Sequence, residues 1–249
     1  MDLPKYTWIK TLSHKGSYED REENPPRVIH LYQDRVTSEP VIIKKFLASQ
    51  DRALDYNILE ALDHTQLQSM RDHWVDGEWG FHVIDFVPGK PLTRFFRINQ
   101  DQKTLAKSLV DLFEPVIYLQ NNGLCHGDLV PWDFVHDGQK TSLIDTETVR
   151  PQGIELRDFT DLYCAPEQLY GDDKLTFQTD IYALGKSIIH LIGEAGSVFV
   201  GDPKRHNDYN HPLQKKLFEV TRHAMLHEPK KRFQTAKEMQ EAIAEAVGL

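Results

Sequence analysis

The hydrophobic pattern of the chain changes from strand-like to helical near residue 90, and this change constrains the fold more than any other feature. Before residue 90, short apolar runs typical of strands occupy positions 6–12, 27–32, 41–46, 73–75 and 81–87. The last two runs flank Asp76-Gly77, a pair typical of tight hairpin turns. One helix is predicted at about 51–62, with an apolar face formed by Leu54, Ile58, Leu59 and Leu62.

After residue 90 the pattern is mostly helical. Apolar residues at helical spacing predict a helix over 105–119, which Pro115 is expected to bend and the Asn-Asn-Gly sequence at 121–123 to end with a left-handed cap. Thr179 or Asp180 is expected to cap a very apolar helix that continues to about residue 192. Two further helices are predicted at 213–226 and 235–247. The pattern predicts an α+β protein with two lobes, 1–89 and 90–249.

Composition favours one soluble globular protein. The chain has 249 residues, 40% of them hydrophobic, which is enough to bury a substantial core. The net charge of −9 argues against a nucleic-acid partner, because phosphates attract basic surfaces. No apolar run approaches the roughly 20 residues that span a bilayer, so no transmembrane segment is expected.

Cysteine and histidine usage point to a cytoplasmic protein without zinc chemistry. Cys125 and Cys164 have no paired spacing and are interpreted as reduced thiols. The first residues lack the apolar stretch of a secretory signal. The twelve histidines form no His-Glu-x-x-His pattern.

Two acidic loops carry the chemical signal of the chain. Residues 124–134 read Leu-Cys-His-Gly-Asp-Leu-Val-Pro-Trp-Asp-Phe, and residues 143–145 read Leu-Ile-Asp. Asp128 is suited to accept a hydroxyl proton, and Asp133 and Asp145 offer the hard oxygen ligands that Mg²⁺ prefers. The alternative interpretation is a pair of polar turns between hydrophobic elements.

These loops resemble the catalytic loop and the metal-binding Asp of the protein-kinase-like superfamily, whose loop reads His-Arg-Asp with an Asn following. The resemblance implies a bilobal fold, with an antiparallel-sheet small lobe containing one helix and a mainly helical large lobe. It also implies ATP and Mg²⁺ as cofactors, with Mn²⁺ as a substitute, Asp128 as the catalytic acid-base residue, Asp133 and Asp145 as metal ligands, and His126 as a structural residue. Gly127 and the Pro131-Trp132 pair are closer to small-molecule kinases such as the aminoglycoside and choline kinases.

A lysine of the first lobe fits the same resemblance. Residues 41–44, Val-Ile-Ile-Lys, are similar to the Val-Ala-Ile-Lys strand whose lysine holds the α- and β-phosphates of ATP, which implies a catalytic and nucleotide-binding role for Lys44. Lys45 should point to the opposite face of a regular strand. Asp55, nine positions before His64, is the implied acidic partner of Lys44, and Glu60 is the competing candidate.

The remaining nucleotide-binding residues implied by the resemblance are Gly16 and Ser17, together with Ile84, Asp85 and Phe86 at the end of a strand. The loop at 14–19 keeps only the middle glycine of the family's Gly-x-Gly-x-x-Gly turn, and glycine is what lets backbone amides approach phosphate. An ordinary acidic surface loop is the alternative there.

The second lobe resembles protein kinases at three more places. Residues 160–167 end in Ala-Pro-Glu, residues 179–185 are similar to the start of a buried central helix, and residues 228–233 are similar to a segment that carries a pairing arginine. The resemblance implies that Asp180 accepts hydrogen bonds from catalytic-loop amides. It also implies that Arg232 and Glu167 form a buried bidentate ion pair.

Departures from the family pattern leave the function open. Asp133 replaces the family's Asn, and Thr146-Glu147 follows Asp145 where the family has Phe-Gly, so that Glu147 is either a third metal ligand or a solvated residue. Val130 replaces the lysine typical of serine/threonine kinases. Three functions remain possible: a protein Ser/Thr kinase-like phosphotransferase, a small-molecule or glycan kinase, and a pseudokinase that acts as a binding scaffold.

Overall fold

The structure is a computed structural model that describes residues 4–12, 28–51, 53, 55–98, 101–155, 159–170, 174–195 and 212–249. These residues divide into two units, Met1–Asp63 with Gln68–Val87 and His64–Leu67 with Pro88–Leu249. The predicted glycine-loop residues, Gly16 and Ser17, lie outside the described residues, as does Leu54.

The first unit is built on a five-stranded antiparallel sheet with strand order β1-β2-β3-β5-β4. The strands are β1 (Tyr6–Thr11), β2 (Val28–Asp34), β3 (Pro40–Leu47), β4 (Met70–Asp76) and β5 (Trp79–Asp85). All five correspond to predicted strands, and β4 begins at Met70 rather than at residue 73. The turn between β4 and β5 is Gly77-Glu78, where Gly77 adopts a φ of +59° that glycine allows without strain.

One face of this sheet is apolar. It buries an apolar cluster formed by Tyr6, Val41, Ile43, Phe81 and Val83. Lys45 lies on this face with its Nζ 3.9 Å from the centre of the Trp79 ring, as the alternation of a regular strand predicts.

The helix of the first unit is shorter than the prediction of 51–62. A 3₁₀ turn occupies Ala48–Gln50, and helix α1 spans Tyr56–Glu60. Asp55 is its N-cap, since the Asp55 carboxylate accepts a hydrogen bond of 2.9 Å from the amide of Asn57. An aspartate that accepts a hydrogen bond from the amide two residues later in the chain is typical of the residue just before a helix. Helix α1 therefore begins after Asp55 and does not include it.

The second unit is mainly helical. Its helices are α2 (Leu92–Ile98), α3 (Gln102–Asp111), α4 (Glu114–Asn121), α5 (Pro166–Tyr170), α6 (Phe177–Ala195), α7 (Pro212–Ala224) and α8 (Ala236–Val247). Its short strands are β6 (Lys90–Pro91), β7 (Leu124–Cys125), β8 (Phe134–His136), β9 (Thr141–Leu143) and β10 (Arg150–Pro151), which form the sheets β6-β8-β9 and β10-β7.

The predicted helix over 105–119 is interrupted rather than bent. Helix α3 ends at Asp111, and α4 begins at Glu114 with Pro115 in its first turn. Proline lacks an amide hydrogen and its ring collides with the carbonyl four residues earlier, so it is tolerated only where a helix begins. The predicted left-handed end of α4 is present, with Gly123 at φ +73°.

Helix α6 begins before the predicted caps. It starts at Phe177, and the amide of Thr176 donates to Thr179 Oγ1 at 3.2 Å, so Thr179 binds back to the start of the helix from its first turn. Asp180 lies inside the helix and serves a different element, described below. The prediction that Thr179 or Asp180 precedes the helix was therefore wrong by a few residues.

Helix α8 follows its prediction closely, since Thr235 caps it by accepting a bond of 3.1 Å from the amide of Glu238. None of the helices formed by the described residues is long and apolar enough to cross a membrane.

Candidate active site

The loop that carries Asp128 is anchored by a buried carboxylate from α6. Asp180 is 0% exposed, and its two oxygens accept hydrogen bonds of 2.8 Å each from the amides of His126 and Gly127. Gly127 has a φ of +84°, a conformation that glycine adopts freely. The hydrogen bonds predicted for Asp180 are present, and they fix the backbone immediately before Asp128.

The ionisation of Asp180 is controlled by two opposing effects. Burial raises the pKa of Asp180 to about 6, and the hydrogen bonds from Gly127 and His126 partly offset that rise. The carboxylate is therefore mainly ionised at neutral pH and able to accept both amide bonds.

Asp128 itself is held from two sides. Its Oδ1 accepts a hydrogen bond of 2.7 Å from the amide of Thr160, and its own amide lies 3.4 Å from Nδ1 of the buried His126. Thr148 Oγ1 also lies 3.4 Å from that His126 nitrogen. The half-buried Asp128 carboxylate is thus orientated by a backbone donor from a segment 32 residues later.

Gln168 is a supporting residue that the sequence reasoning missed. It is buried, and its side chain donates to the carbonyl of Gly127 at 3.0 Å while accepting from the amide of Ala165 at 2.8 Å. One amide group therefore joins the loop of Asp128 to the Ala-Pro-Glu segment. The only sequence signal for this role is the position of Gln168 directly after Glu167.

The two predicted metal ligands lie at the same end of one hairpin. Strands β8 and β9 pair antiparallel, Asp133 directly precedes β8, and Asp145 closely follows β9. The amide of Ile144 donates to the carbonyl of Asp133 at 2.8 Å, so the two acidic loops are joined next to both carboxylates. Asp145 adopts a φ of 62°, a left-handed conformation that is uncommon for residues with a side chain but less so for Asp than for most.

The donor set of this hairpin fits a magnesium ion. Mg²⁺ in proteins is usually held by one or two carboxylates, with water and substrate phosphates completing its octahedral shell. Asp133 is buried, with Oδ2 accepting from the amide of Val130 at 3.3 Å, and Asp145 is half-buried. Within the described ranges no cluster of three or more His, Cys, Asp or Glu side chains could hold a metal by itself.

Glu147 is not a solvated residue. It lies in the 3₁₀ turn Thr146–Thr148 and is only 7% exposed. Of the two alternatives that the sequence left open, the exposed one is wrong. A role for Glu147 as a further metal ligand stays a prediction.

The predicted ion pair between Glu167 and Arg232 is present. Arg232 Nη1 and Nη2 donate to the two Glu167 oxygens at 2.6 and 2.7 Å. The same guanidinium donates to the carbonyls of Leu226, Gln178 and His227, so all five of its N–H groups are used. This bidentate pair ties the Ala-Pro-Glu segment to the 3₁₀ turn Pro229–Lys231 and to α6.

Three of the predicted nucleotide-binding residues, Lys44, Ile84 and Asp85, lie on the central strands of the first unit. Lys44 is half-buried on β3, and Ile84 is buried on β5. Asp85 ends β5, where Arg71 forms an ion pair with the Asp85 carboxylate. Phe86 follows it and is half-buried. The assignment of these residues to a nucleotide stays a prediction.

Asp55 has a structural role that the sequence reasoning did not include. Its Oδ1 accepts from both the amide and the Nδ2 of Asn57, at 2.9 and 3.1 Å. Its predicted partnership with Lys44 must therefore compete with the cap of α1.

The family to which the chain belongs is shown by comparison with known proteins. A model of the protein kinase domain family matches residues 28–246. The chain therefore belongs to the protein kinase domain family, and its α+β architecture agrees with that assignment.

Two relatives are both described as cyclin-dependent kinase-like 2. The protein of Rattus norvegicus is 26% identical over 167 residues, which cover 61% of this chain and 33% of the rat protein. The protein of Mus musculus is 26% identical over 167 residues, covering 61% of this chain and 29% of the mouse protein. The match thus spans about a third of the relatives' length, and it supports a kinase-like phosphotransferase.

Replacing Arg232 with alanine should destabilise the second unit strongly. The substitution leaves the half-buried Glu167 carboxylate without its bidentate partner, which should cost about 3 kcal/mol, the lower end of the range for a buried pair, because 19% of the Glu167 side chain is exposed to water. Lys231→Ala is the matched control, because Lys231 pairs with Glu228 on the surface and such pairs contribute less than about 1 kcal/mol. Urea unfolding measures both, and equal midpoints for Arg232→Ala and wild type would contradict the prediction.

Asp180→Asn should change how stability depends on pH. Because the pKa of Asp180 is raised in the folded state to about 6, its contribution to stability is greatest below the ordinary value of 3.8 and is lost as the pH rises through 6. Asparagine does not titrate. The stability advantage of wild type over Asp180→Asn should therefore shrink by about 2 kcal/mol between pH 4 and pH 7. Chemical unfolding at both pH values measures this difference, and a constant difference would rule out the raised pKa.

Proposed function

We propose that the protein is an ATP- and Mg²⁺-dependent phosphotransferase that transfers the γ-phosphate to an acceptor hydroxyl, of the protein Ser/Thr kinase-like type. The observation that carries the proposal is the orientation of Asp128. A hydroxyl acceptor needs a carboxylate in a fixed position, and the Thr160 amide holds one in a loop that Asp180 anchors. The net charge of −9 supports an acceptor other than nucleic acid.

In the proposed reaction Asp128 accepts the proton of the acceptor hydroxyl while the hydroxyl oxygen forms a bond to the γ-phosphorus. The bond between the γ-phosphorus and the β,γ-bridging oxygen breaks, and ADP leaves with that oxygen. Lys44 neutralises charge on the α- and β-phosphates. Asp133 and Asp145 would hold Mg²⁺, or Mn²⁺ in its place, and such an ion supplies positive charge that stabilises the triphosphate. Catalysis then depends on positioning and electrostatics rather than on a covalent enzyme intermediate.

Replacing Asp128 with asparagine tests the role of its carboxylate. We expect Asp128→Asn to bind Mg²⁺-ATP about as tightly as wild type and to lose at least about a hundredfold in phosphate transfer, because the amide cannot take the proton. Isothermal titration measures binding, and radiolabelled phosphate transfer to a panel of proteins and glycans measures activity.

Asp145→Ala is the matched comparison, because Asp145 is the predicted metal ligand and Asp128 is not. This variant should lose the Mg²⁺-dependent part of nucleotide binding while staying folded, as circular dichroism would show. If wild type neither binds nucleotide nor transfers phosphate, the scaffold function is the correct one. If Asp128→Asn keeps full activity, Asp128 is not the acid-base residue.

A small-molecule or glycan acceptor is the second candidate, and the observation that favours it is an exposed aromatic ring. Trp132 is 43% exposed in the loop of Asp128. Its ring stands edge-on to Tyr163, with centres 5.3 Å apart, and Tyr163 Oη is hydrogen-bonded to His190 Nδ1 at 2.9 Å. A rigid, partly exposed indole offers a flat apolar surface on which a sugar ring can stack.

The two acceptor classes are distinguished by substitution of Trp132. For a glycan acceptor, Trp132→Ala should raise the acceptor KM by about tenfold with the KM for ATP unchanged, and Trp132→Phe should restore most of the loss. Steady-state kinetics with each acceptor measure both constants. Equal acceptor KM values for wild type and Trp132→Ala would remove this ring from the acceptor site.

A further inference from the structure

The peptide unit between Gly127 and Asp128 sets the direction in which Asp128 leaves its loop. A peptide unit is planar, so its carbonyl, its amide and the bond to the Asp128 Cα turn together. Gly127 adopts a φ of +84°, and glycine rotates about its backbone bonds with less steric restriction than any other residue. The orientation of this peptide unit therefore depends on the hydrogen bonds that its carbonyl and its amide form.

The amide side of the peptide unit is held weakly. The Asp128 amide lies 3.4 Å from His126 Nδ1, whereas a normal hydrogen bond of this kind is no longer than about 3.2 Å. The two bonds to Asp180 come from the amides of His126 and Gly127, which precede the Cα of Gly127. Rotation about the Cα–C bond of Gly127 leaves both of them intact. Asp180 therefore anchors the loop up to Gly127 but does not select the orientation of the next peptide unit.

The carbonyl side is held by Gln168. This side chain is only 4% exposed, and its Nε2 donates to the Gly127 carbonyl at 3.0 Å. Its Oε1 accepts from the Ala165 amide at 2.8 Å. A backbone N–H can be met only by the oxygen of a glutamine amide, so the contact with Ala165 turns the nitrogen of Gln168 towards Gly127. The Gly127 carbonyl thus has a donor whose own orientation is fixed.

The segment that carries Gln168 also holds the side chain of Asp128. The Thr160 amide donates to Asp128 Oδ1 at 2.7 Å, and the Thr160 carbonyl accepts from the amides of Tyr163 and Cys164 at 2.9 and 3.1 Å. This turn leads directly to the Ala-Pro-Glu segment and Gln168. The loop and residues 160–168 are therefore joined on both sides of the Asp128 Cα, through the carbonyl before it and the carboxylate after it.

We propose that Gln168 is a positioning residue for the transfer reaction, which selects one orientation of the Gly127–Asp128 peptide unit and with it the orientation of the Asp128 carboxylate. Gly127 supplies no steric restriction of its own, and the hydrogen bond from Gln168 supplies the restriction instead. Gln168 meets no reacting atom and acts through Asp128. The inference rests on the proposed function for its consequence, since a fixed Asp128 raises the rate only if this carboxylate meets the acceptor hydroxyl.

The first test observes the Gly127 carbonyl by nuclear magnetic resonance and requires no nucleotide. Carbon-13 at glycine carbonyls and nitrogen-15 at aspartate amides select the Gly-Asp peptide units, of which the chain has three. Asp128→Asn removes the signal of Gly127 and so identifies it. Gln168→Met has a side chain of similar length without an amide, so it should move the Gly127 carbonyl signal upfield, because this oxygen loses its donor.

Gln120→Met is the matched control for the loss of a buried glutamine. The Gln120 side chain is 8% exposed, and its Oε1 accepts from the Ala236 amide at 2.7 Å, a contact that joins α4 to the start of α8. Its removal should destabilise the same unit by a similar amount and leave the Gly127 signal unmoved. Urea unfolding of both variants measures whether the two losses of stability are alike.

The second test measures the consequence for phosphate transfer. Gln168→Met should lower kcat by about tenfold with an unchanged Kd for Mg²⁺-ATP, because a mispositioned carboxylate slows the chemical step without affecting nucleotide binding. Gln120→Met should keep kcat within about twofold of wild type, since distant contacts act independently. Steady-state kinetics, with an acceptor on which wild type is active, give kcat, and isothermal titration gives the Kd.

The outcomes separate this inference from the proposed function. If wild type transfers no phosphate but Gln168→Met moves the Gly127 signal, the proposed function fails and the control of this peptide unit by Gln168 stands. An unmoved signal, or an equal movement in Gln120→Met, overturns the inference. An unchanged kcat in Gln168→Met also overturns it, because Gln168 then supports the fold alone. If Gln168→Met does not fold by circular dichroism, Gln168→Asn decides, since its shorter amide cannot span both contacts.

Discussion

The carboxylate of Asp180 is the interaction on which the rest of the candidate site depends. An aspartate buried in a helix of the second unit loses its hydration, and two backbone amides replace that hydration. The amides belong to His126 and Gly127, which immediately precede Asp128. Burial of Asp180, which raises its pKa, is offset in part by these two hydrogen bonds, and the same bonds fix the loop that carries Asp128. Without this anchor the loop would sample more conformations, and holding Asp128 in one orientation would cost conformational entropy.

A second set of contacts holds the Ala-Pro-Glu segment beside that loop. Arg232 uses all five of its N–H groups, two on Glu167 and three on carbonyls, which leaves the guanidinium only one position. Gln168, the next residue after Glu167, then reaches the carbonyl of Gly127. Arg232 holds Glu167, and the neighbouring Gln168 holds the carbonyl of Gly127. The loop of Asp128 is therefore linked to Arg232, which lies 65 positions from Glu167.

The distribution of carboxylates bears on the choice between an enzyme and a scaffold. Asp133 and Asp145 are brought to one end of a hairpin by the antiparallel pairing of β8 and β9. Glu147, two residues after Asp145, is buried in the 3₁₀ turn Thr146–Thr148. In the first unit Asp55 caps α1, and the half-buried Asp51 accepts hydrogen bonds from Tyr56 and the amide of Ala53. Two acids at one end of a hairpin are the arrangement that the proposed phosphotransferase requires for a magnesium ion.

The sequence by itself determined the class of fold and the order of the elements. It offered Asp128, Asp133 and Asp145 as site residues, and their roles stay predictions. Strand and helix periodicity are local properties, so the five strands, the end of α4 at Gly123 and the cap of α8 by Thr235 were all predictable. The resemblance of residues 160–167, 179–185 and 228–233 to protein kinases implied the hydrogen bonds of Asp180 and the ion pair of Arg232, and both contacts are present. The exact ends of some helices were harder to predict, because Asp55 could lie inside a helix or cap it, and Pro115 could bend a helix or begin a new one.

Only the tertiary structure decided the contacts that join distant segments. Gln168 meets Gly127 from 41 residues away, and Tyr56 meets His82 from 26 residues away. Neither contact follows from sequence spacing, because each depends on strand register and helix position, which set a side chain's neighbours only after the chain has packed.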